Sequence, residues 1–320
     1  STGALTNKTA LIDATNLNQA ISVTVSPDGK NVYAVARTSK SIVHWDRDAS
    51  TGALANKTAL IDATNLNHVS SVTVSPDGKN VYAVAHTSKS IVHWDRDAST
   101  GALTSKVALI DATNLNYATS VTVSPDGKNV YAVASSSKSI VQWDRNASTG
   151  ALTNKIAVID AINLAGANSV AVSPDGKNIY AVAHTSKSIV HWDRDASTGA
   201  LTNKTALIDA TNLNFVLSVT VSPDGKNVYA VASISKSIVH WNRARLPTCV
   251  DTDGSGTSFD GSTCSAGYAF SPTDTPCNTT SCDTDDCCTA NVCPATEVPN
   301  SDKSTTGAVN GIQVTVTCST

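Results

Sequence analysis

The sequence predicts an all-β protein, on three observations. A 49-residue unit recurs five times, opening at Ser1, Ser50, Ser99, Ser148 and Ser197, and near-identity at such a period marks an array of stacked supersecondary units. Each unit alternates short β-branched runs with clusters of Pro, Asp, Gly and Asn, the punctuation of strands and tight turns. Only 15% of the 320 residues are charged, while Ser, Thr, Asn and Ala are plentiful. Long amphipathic helices do not have that composition.

In the first copy Ser22 to Ser26 alternates as a strand, Pro27-Asp28-Gly29-Lys30 turns the chain, and Asn31 to Ala36 returns as a second strand. The polar stretch Arg37 to Lys40 leads into a third strand, Ile42 to Asp46, and Ser50-Thr51-Gly52 separates it from a fourth within Ala53 to Asp62. Four strands per unit is the blade of a β-propeller. Apolar residues occupy both parities of these strands, so both faces of each sheet need cover. Stacking blade on blade supplies it, with one Trp per copy (Trp45, Trp94, Trp143, Trp192, Trp241) as the largest filler. The chain opens with fourth-strand sequence, Gly3 to Asp13, and the repeats stop after a third strand, Ile238 to Asn242. Residues 1–246 are therefore expected to close as a five-bladed β-propeller whose N-terminal strand completes the last blade, removing the free sheet edges. The rival is an incomplete ring of seven or eight blades, the missing copies preceding Ser1 or coming from another chain.

Residues 247–320 hold all eight cysteines: Cys249, Cys264, Cys277, Cys282, Cys287, Cys288, Cys293 and Cys318. An even number in a short segment poor in large apolar side chains reads as a disulfide-rich module, and so as an oxidising, extracellular setting. A zinc site is the lesser reading, because no histidine follows His240 and no paired C-x-x-C spacing occurs. A net charge of -3 offers nothing to nucleic acid, and no apolar run is long enough to span a bilayer. Opening at Ser1 with neither Met nor a leader, the chain reads as a processed or truncated product.

At SPDGKNVYAVA, SKSIVHWDRD and STGALTNK the unit resembles the lactonase-like, Tyr-Val-Thr-Asn type of β-propeller repeat, over residues 1–243. The resemblance implies a propeller; some members are seven-bladed sugar-lactone hydrolases, while many others are surface or secreted proteins without known catalysis. It carries over no catalytic residue. The tail, through CSAGYAFSPTDTPCNTTSCDTDDCC and TGAVNGIQVTVTC, resembles cysteine-rich modules of extracellular algal and protist proteins, including filament components.

Comparison among the copies shows where they differ. Residues 19–21 read Gln19-Ala20-Ile21, and their counterparts His68-Val69-Ser70, Tyr117-Ala118-Thr119, Gly166-Ala167-Asn168 and Phe215-Val216-Leu217. Position 37 reads Arg37, His86, Ser135, His184 and Ser233. Both loops leave an up-and-down blade at the same end, so Gln19, Ile21, Arg37, His68, His86, Tyr117, Asn168, His184, Phe215 and Leu217 form a candidate binding face, with drift in exposed loops as the plain alternative. His44, His93, His191 and His240, matched by Gln142, are expected to be hydrogen-bonded structural residues. Asp28 and its equivalents read as turn formers, and Asp46 and Arg47, with their counterparts, as satisfying turns or pairing locally. Ser22 and Thr24 line the innermost strand without a charged partner set, so no catalytic residue is expected. Acceptors for N-glycans are Asn7, Asn56, Asn146, Asn203 and Asn278. No cofactor is implied; Asp251, Asp253 and the Asp283–Asp286 cluster offer calcium carboxylates without a closing Glu. The functional expectation is a secreted, glycosylated, non-catalytic structural or adhesive subunit of a fibre or coat, associating with itself or other extracellular proteins. A multivalent lectin is the alternative, and a lactonase-type hydrolase comes third.

Overall fold

The computed structural model describes residues 4–5 and 8–243, together with the backbone of 268–270 and 288–290. Every copy folds as an antiparallel meander. The first comprises β1 (Ala20–Val25), β2 (Asn31–Ala36), β3 (Ser41–Arg47) and β4 (Leu54–Ile61), paired in that order. The second is β5 (Val69–Val74), β6 (Asn80–Ala85), β7 (Ser90–Arg96) and β8 (Leu103–Ile110); the third is β9 (Ala118–Val123), β10 (Asn129–Ala134), β11 (Ser139–Arg145) and β12 (Leu152–Ile159). The fourth is β13 (Ala167–Val172), β14 (Asn178–Ala183), β15 (Ser188–Arg194) and β16 (Leu201–Ile208). The fifth has three strands, β17 (Val216–Val221), β18 (Asn227–Ala232) and β19 (Ser237–Asn242). No helix occurs among the described residues. The chain divides into two units, Ser1–Asn242 and Arg243–Thr320. Of the second, β20 (Tyr268–Phe270) and β21 (Cys288–Ala290) pair with each other. The cysteines expected to form disulfides lie outside the described residues, except for the backbone of Cys288.

Local chemistry explains the meander. Ser26 Oγ donates to Asp28 Oδ1 at 2.5 Å and accepts from the Asn31 amide at 3.0 Å, while the Lys30 amide donates to Asp28 Oδ1 at 3.1 Å. Gly29 takes the left-handed conformation, φ 69°, that closes this turn. β2 is buried along its whole length because both its faces meet neighbours. One face, with Tyr33 and Val35, joins Ile42 against Leu66, Val69, Val81 and Trp94 of the next blade. Equivalent clusters fill the following junctions.

A buried polar network crosses each junction. Arg96, at the end of β7, donates to Tyr33 Oη at 2.9 Å, to both carboxylate oxygens of Asp28 at 3.0 and 2.9 Å, and to Asn31 Oδ1 at 2.5 Å, all in the preceding blade. Arg145 repeats this with Tyr82, Asp77 and Asn80, and Arg194 with Tyr131, Asp126 and Asn129. The expectation that Arg47 and its equivalents satisfy turns or pair locally holds for their bonds to the turn carbonyls, Gly29 for Arg47 and Gly78 for Arg96, and is corrected for Arg96, Arg145 and Arg194, which also reach partners 63–68 residues away, because a guanidinium can span several acceptors at once. Tyr33 Oη also donates to the Gly101 carbonyl at 2.8 Å, bringing that backbone against Asn31. At Gly101 φ is 72°, and a Cβ there would sit 2.3 Å from Asn31 Nδ2. Gly101→Ala is therefore expected to cost on the order of 2–3 kcal/mol, from overpacking and backbone strain together. Urea denaturation checks this, and an unchanged midpoint would refute the junction geometry.

The array does not close on itself as expected. The innermost strands follow one another as β1, β5, β9, β13 and β17. Among the described residues none pairs with the outer edge of β19. The segment before β1 instead stays with the first blade, Asp13 accepting from Lys57 Nζ at 2.7 Å, while Ile12 is 92% exposed. On the fifth blade Ile238 is 72% exposed, against 1% for its counterpart Ile42. Nearly identical junctions impose nearly identical blade-to-blade steps, and the four steps between five blades leave the last blade short of the first.

Candidate functional site

The strands of every blade are nearly invariant, so asymmetric chemistry has to come from where the copies differ. The structure brings those positions together along one end of the array. The amide of Arg37 donates to the Gln19 carbonyl at 3.0 Å, and His86 to His68, Ser135 to Tyr117, His184 to Gly166 and Ser233 to Phe215 do the same at 2.9–3.1 Å. The first-named loop of each blade and the second loop thus form one continuous rim. Gln19, His68, Tyr117 and Phe215 all adopt left-handed backbone, φ 54–64°, and Gly166 occupies the equivalent place. Such conformations cost side-chain-bearing residues of the order of 1 kcal/mol or more, and they concentrate where geometry serves function.

Neighbouring blades meet along this rim in complementary pairs. The His86 ring stands against Tyr117 of the next blade, and the His184 ring lies 4.9 Å from Phe215. A histidine after the second strand is therefore met by an aromatic residue on the next blade. Where the copy carries Ser135 instead, the next supplies Gly166. That alternation is written in the sequence, but it becomes legible only once position 37 of one copy is compared with position 19 of the next.

The densest cluster spans the first three blades. Thr87 Oγ1 lies 2.9 Å from His68 Nδ1 and 3.2 Å from His86 Nδ1. One hydroxyl proton serves only one ring, so at least one of the two imidazoles donates its Nδ1–H to Thr87 Oγ1. Burial, then the charge of His68, then that of Arg37 push the His86 imidazole down to about 4, so it is neutral at physiological pH. Three buried nitrogens, Arg37 Nε, His86 Nε2 and His184 Nδ1, lack any protein partner among the described residues, and all three belong to the same repeat position. An unsatisfied buried polar group costs about 1–3 kcal/mol, a penalty that a bound polar ligand relieves.

His86 also gives a pH signature. Its folded pKa lies below the ordinary 6.5, so between about 4 and 6.5 the unfolded chain binds more protons, and stability rises with pH. The contribution is complete above 6.5 and is lost as pH falls to 4. Discounted for partial exposure, the loss amounts to about 1–2 kcal/mol. Denaturation at pH 7 and pH 4.5 should show it in the wild type and not in His86→Gln; equal slopes in both would refute the assignment.

The remaining candidates separate from this cluster. Ser70 Oγ, Thr119 Oγ1 and Asn168 Nδ2 donate to the carbonyls of Ala118, Ala167 and Val216 in the next blade, stitching the innermost strands rather than facing a ligand. Ile21 and Leu217 cannot make that bond and are 46% and 43% exposed. His44, His93 and Gln142 are buried, and Gln142 donates to the Thr198 carbonyl at 3.0 Å. Of the glycan acceptors, Asn56 and Asn203 bind Asp46 and Asp193 at 2.8 Å, and Asn146 Oδ1 accepts from Ser148 and Thr149; Asn7 and Asn278 lie outside the described residues. So do Asp251, Asp253 and the Asp283–Asp286 cluster. No group of metal-ligating side chains occurs among the described residues. Two clefts of about 290 and 300 Å³ lie between neighbouring blades, the first lined by Asp111, Leu115 and Trp143 and the second by His44, Asn56 and Leu103.

Residues 4–115, 56–164 and 104–218 each match the model of the family described as lactonase, 7-bladed β-propeller. Among solved structures, a protein assigned as a 6-phosphogluconolactonase from Bacteroides fragilis is 19% identical over 69% of this chain and 65% of its own, with a TM-score of 0.56. The periplasmic gluconolactonase of Pseudomonas aeruginosa is 17% identical over 72% of this chain and 67% of its own, with a TM-score of 0.59. The hydrazine synthase of Kuenenia stuttgartiensis aligns as well, at 20% identity and a TM-score of 0.50 over 71% of this chain and 58% of its own. Likeness at this level establishes the fold alone. No curated protein matches the chain in sequence.

The family match overturns two expectations, that the chain is a non-catalytic structural or adhesive subunit and that it is not an enzyme. The lectin alternative gains nothing from it. Those expectations rested on the sameness of the repeats, and the rim is the part that is not the same. Its overlapping matches together cover residues 4–218, about two thirds of the sequence, and the chain belongs to the lactonase family of seven-bladed β-propellers.

Proposed function

We propose that this chain hydrolyses a sugar lactone on the rim at Arg37, His68, His86 and Tyr117. The observation that carries the reading is the meeting of two hydroxyl-bridged imidazoles with a guanidinium in a chain of the lactonase family. The chain spans 65% of the length of the Bacteroides fragilis protein, so the activity is assigned to the rim of the described blades and to no other part.

The chemistry needs a base, a stabilised oxyanion and a returning proton. His68, the exposed member of the pair, donates through Nδ1–H to Thr87 Oγ1, and Thr87 donates in turn to His86 Nδ1. His68 Nε2 is then free to take a proton from water as the oxygen adds to the lactone carbonyl carbon. His86, held neutral, does not compete for that proton and keeps Thr87 in place. The negative charge that develops on the carbonyl oxygen faces Arg37. Collapse of the tetrahedral intermediate breaks the ring C–O bond, and the departing alkoxide recovers the proton from His68. A hydroxy acid leaves and no cofactor is consumed.

The test is direct. Proton release from glucono-δ-lactone and from its 6-phosphate, followed at constant pH with the full chain, is expected to exceed the spontaneous rate in proportion to protein concentration. No acceleration with either, or with other five- and six-membered sugar lactones, overturns the reading.

A further inference from the structure

The charges of each blade are sorted between its two ends. At the rim end, the hairpin joining the second and third strands finishes on a lysine in every copy: Lys40, Lys89, Lys138, Lys187 and Lys236. All five adopt left-handed backbone, φ 52–54°, which glycine takes without strain and a side-chain-bearing residue does not. The turn alone is better served by glycine, so the ammonium is what the position keeps. Among the described residues none of these lysines has an ion pair or a side-chain hydrogen bond.

The carboxylates nearby do not neutralise them. Asp13, Asp62, Asp111 and Asp160 are held at 2.6–2.7 Å by other lysines, Lys57, Lys106, Lys155 and Lys204. At the opposite end, Asp48, Asp97 and Asp195 are exposed and accept from the hydroxyls and amides of their own turns, with no cation on them among the described residues. A blade is thus positive where it meets the rim and negative where it does not, an asymmetry that orients a molecule over a charged surface.

The rim end is also apolar. Ser41 pairs with Ile61 where the third and fourth strands reach that end, and the Asp62 amide donates to the Lys40 carbonyl at 2.9 Å, which sets an isoleucine beside the lysine. The other copies repeat this, and Ile61, Ile110, Ile159 and Ile208 are 58–64% exposed. The second and third blades have neighbours on both sides, and Ile110 and Ile159 stand out there all the same. Ile162, in the loop entering the fourth blade, is 75% exposed where other copies carry threonine. Ammonium groups interleaved with branched apolar side chains suit a bilayer with negative headgroups: the cations meet lipid phosphates while the isoleucines enter the acyl boundary. A soluble polyanion would use the charge and gain nothing from the isoleucines.

We infer that the rim end docks on an anionic lipid surface, with Lys89, Lys138 and Lys187 on lipid phosphates and Ile110, Ile159 and Ile162 at the headgroup boundary. The contact is peripheral, on the surface of the bilayer. None of these six residues belongs to the hydrolytic set, and the inference stands whether or not the rim opens lactones.

The experiment mixes the full-length protein with vesicles of phosphatidylcholine, or of phosphatidylcholine with phosphatidylglycerol, and reads the bound fraction by sedimentation. Binding is expected to the second only, weakening as salt is added. Lys89→Gly, Lys138→Gly and Lys187→Gly combined should weaken it on the order of 10²-fold, about fivefold for each charge removed. Thermal stability should hold in that variant, since glycine suits the backbone there. Ile110→Ser with Ile159→Ser should weaken binding about tenfold and leave its salt dependence unchanged. Binding to neither vesicle, equal binding to both, or a serine variant as tight as the wild type would each overturn the inference, the last in favour of a polyanion, which heparin in place of vesicles would then reveal.

Discussion

Arg145→Ala is expected to be the most destabilising single substitution in the array, costing about 3–5 kcal/mol. The Arg145 side chain is 1% exposed, and its removal strips Asp77, Asn80 and Tyr82 of their common donor in one step. Burial already pushes the Tyr82 hydroxyl up to about 12, which reports how dry the site is. The carboxyl of Asp77 is lowered against a desolvation that would otherwise raise it, so losing the guanidinium leaves a half-buried charge with less compensation. Arg145→Lys is not expected to rescue it, because one ammonium cannot span Tyr, Asp and Asn as the fork of a guanidinium does. The position makes the result informative. In a one-dimensional array an interior junction couples everything on either side, so breaking the one between the second and third blades should split one denaturation transition into two. The matching change at the head, Arg47→Ala, removes a residue without those partners and should leave a single transition within about 1 kcal/mol of the wild type. Equal losses at 47 and 145 would contradict the network.

The meander was legible in the sequence because Ser26, Asp28 and Gly29 make their turn with immediate neighbours, and such chemistry reads locally. The covering of both sheet faces was legible too, from the double parity of Val32, Tyr33, Ala34 and Val35. What escaped was anything set between copies. Asp28 reads as a turn former and is one, yet the same carboxylate anchors Arg96 from 68 residues away. Ring closure also escaped, because it depends on the angle between blades, and no single residue states an angle; Gly3 to Asp13 has the sequence of an outer strand wherever it lies. On the rim, the variable positions gather at one end of the array, where Ser70, Thr119 and Asn168 are inter-blade stitches, while Arg37, His68, His86 and Tyr117 converge. The carbonyl of Ala118 or Ala167, which separates a stitch from a ligand contact, is invisible in a pattern of side chains.

Substitution along the rim should show whether the repeats share the chemistry or one place owns it. His68→Gln is expected to lower kcat for lactone opening by 10²- to 10⁴-fold with KM little changed, since glutamine keeps a donor toward Thr87 but cannot take a proton from water. Arg37→Ala should cost about 10²-fold, acting on the charge that develops at the carbonyl oxygen and so on kcat more than on KM. His184→Gln and Phe215→Ala, at equivalent positions of the fourth and fifth blades, should stay within about twofold: Gly166 stands where His68 does, and a Cβ there would meet the His184 ring at 2.7 Å. Five near-identical blades cannot distinguish one copy from another through their strands. If all these substitutions slow the reaction alike, the activity belongs to the repeat as such; if only those in the first three blades do, the asymmetry that catalysis requires was supplied by the loops.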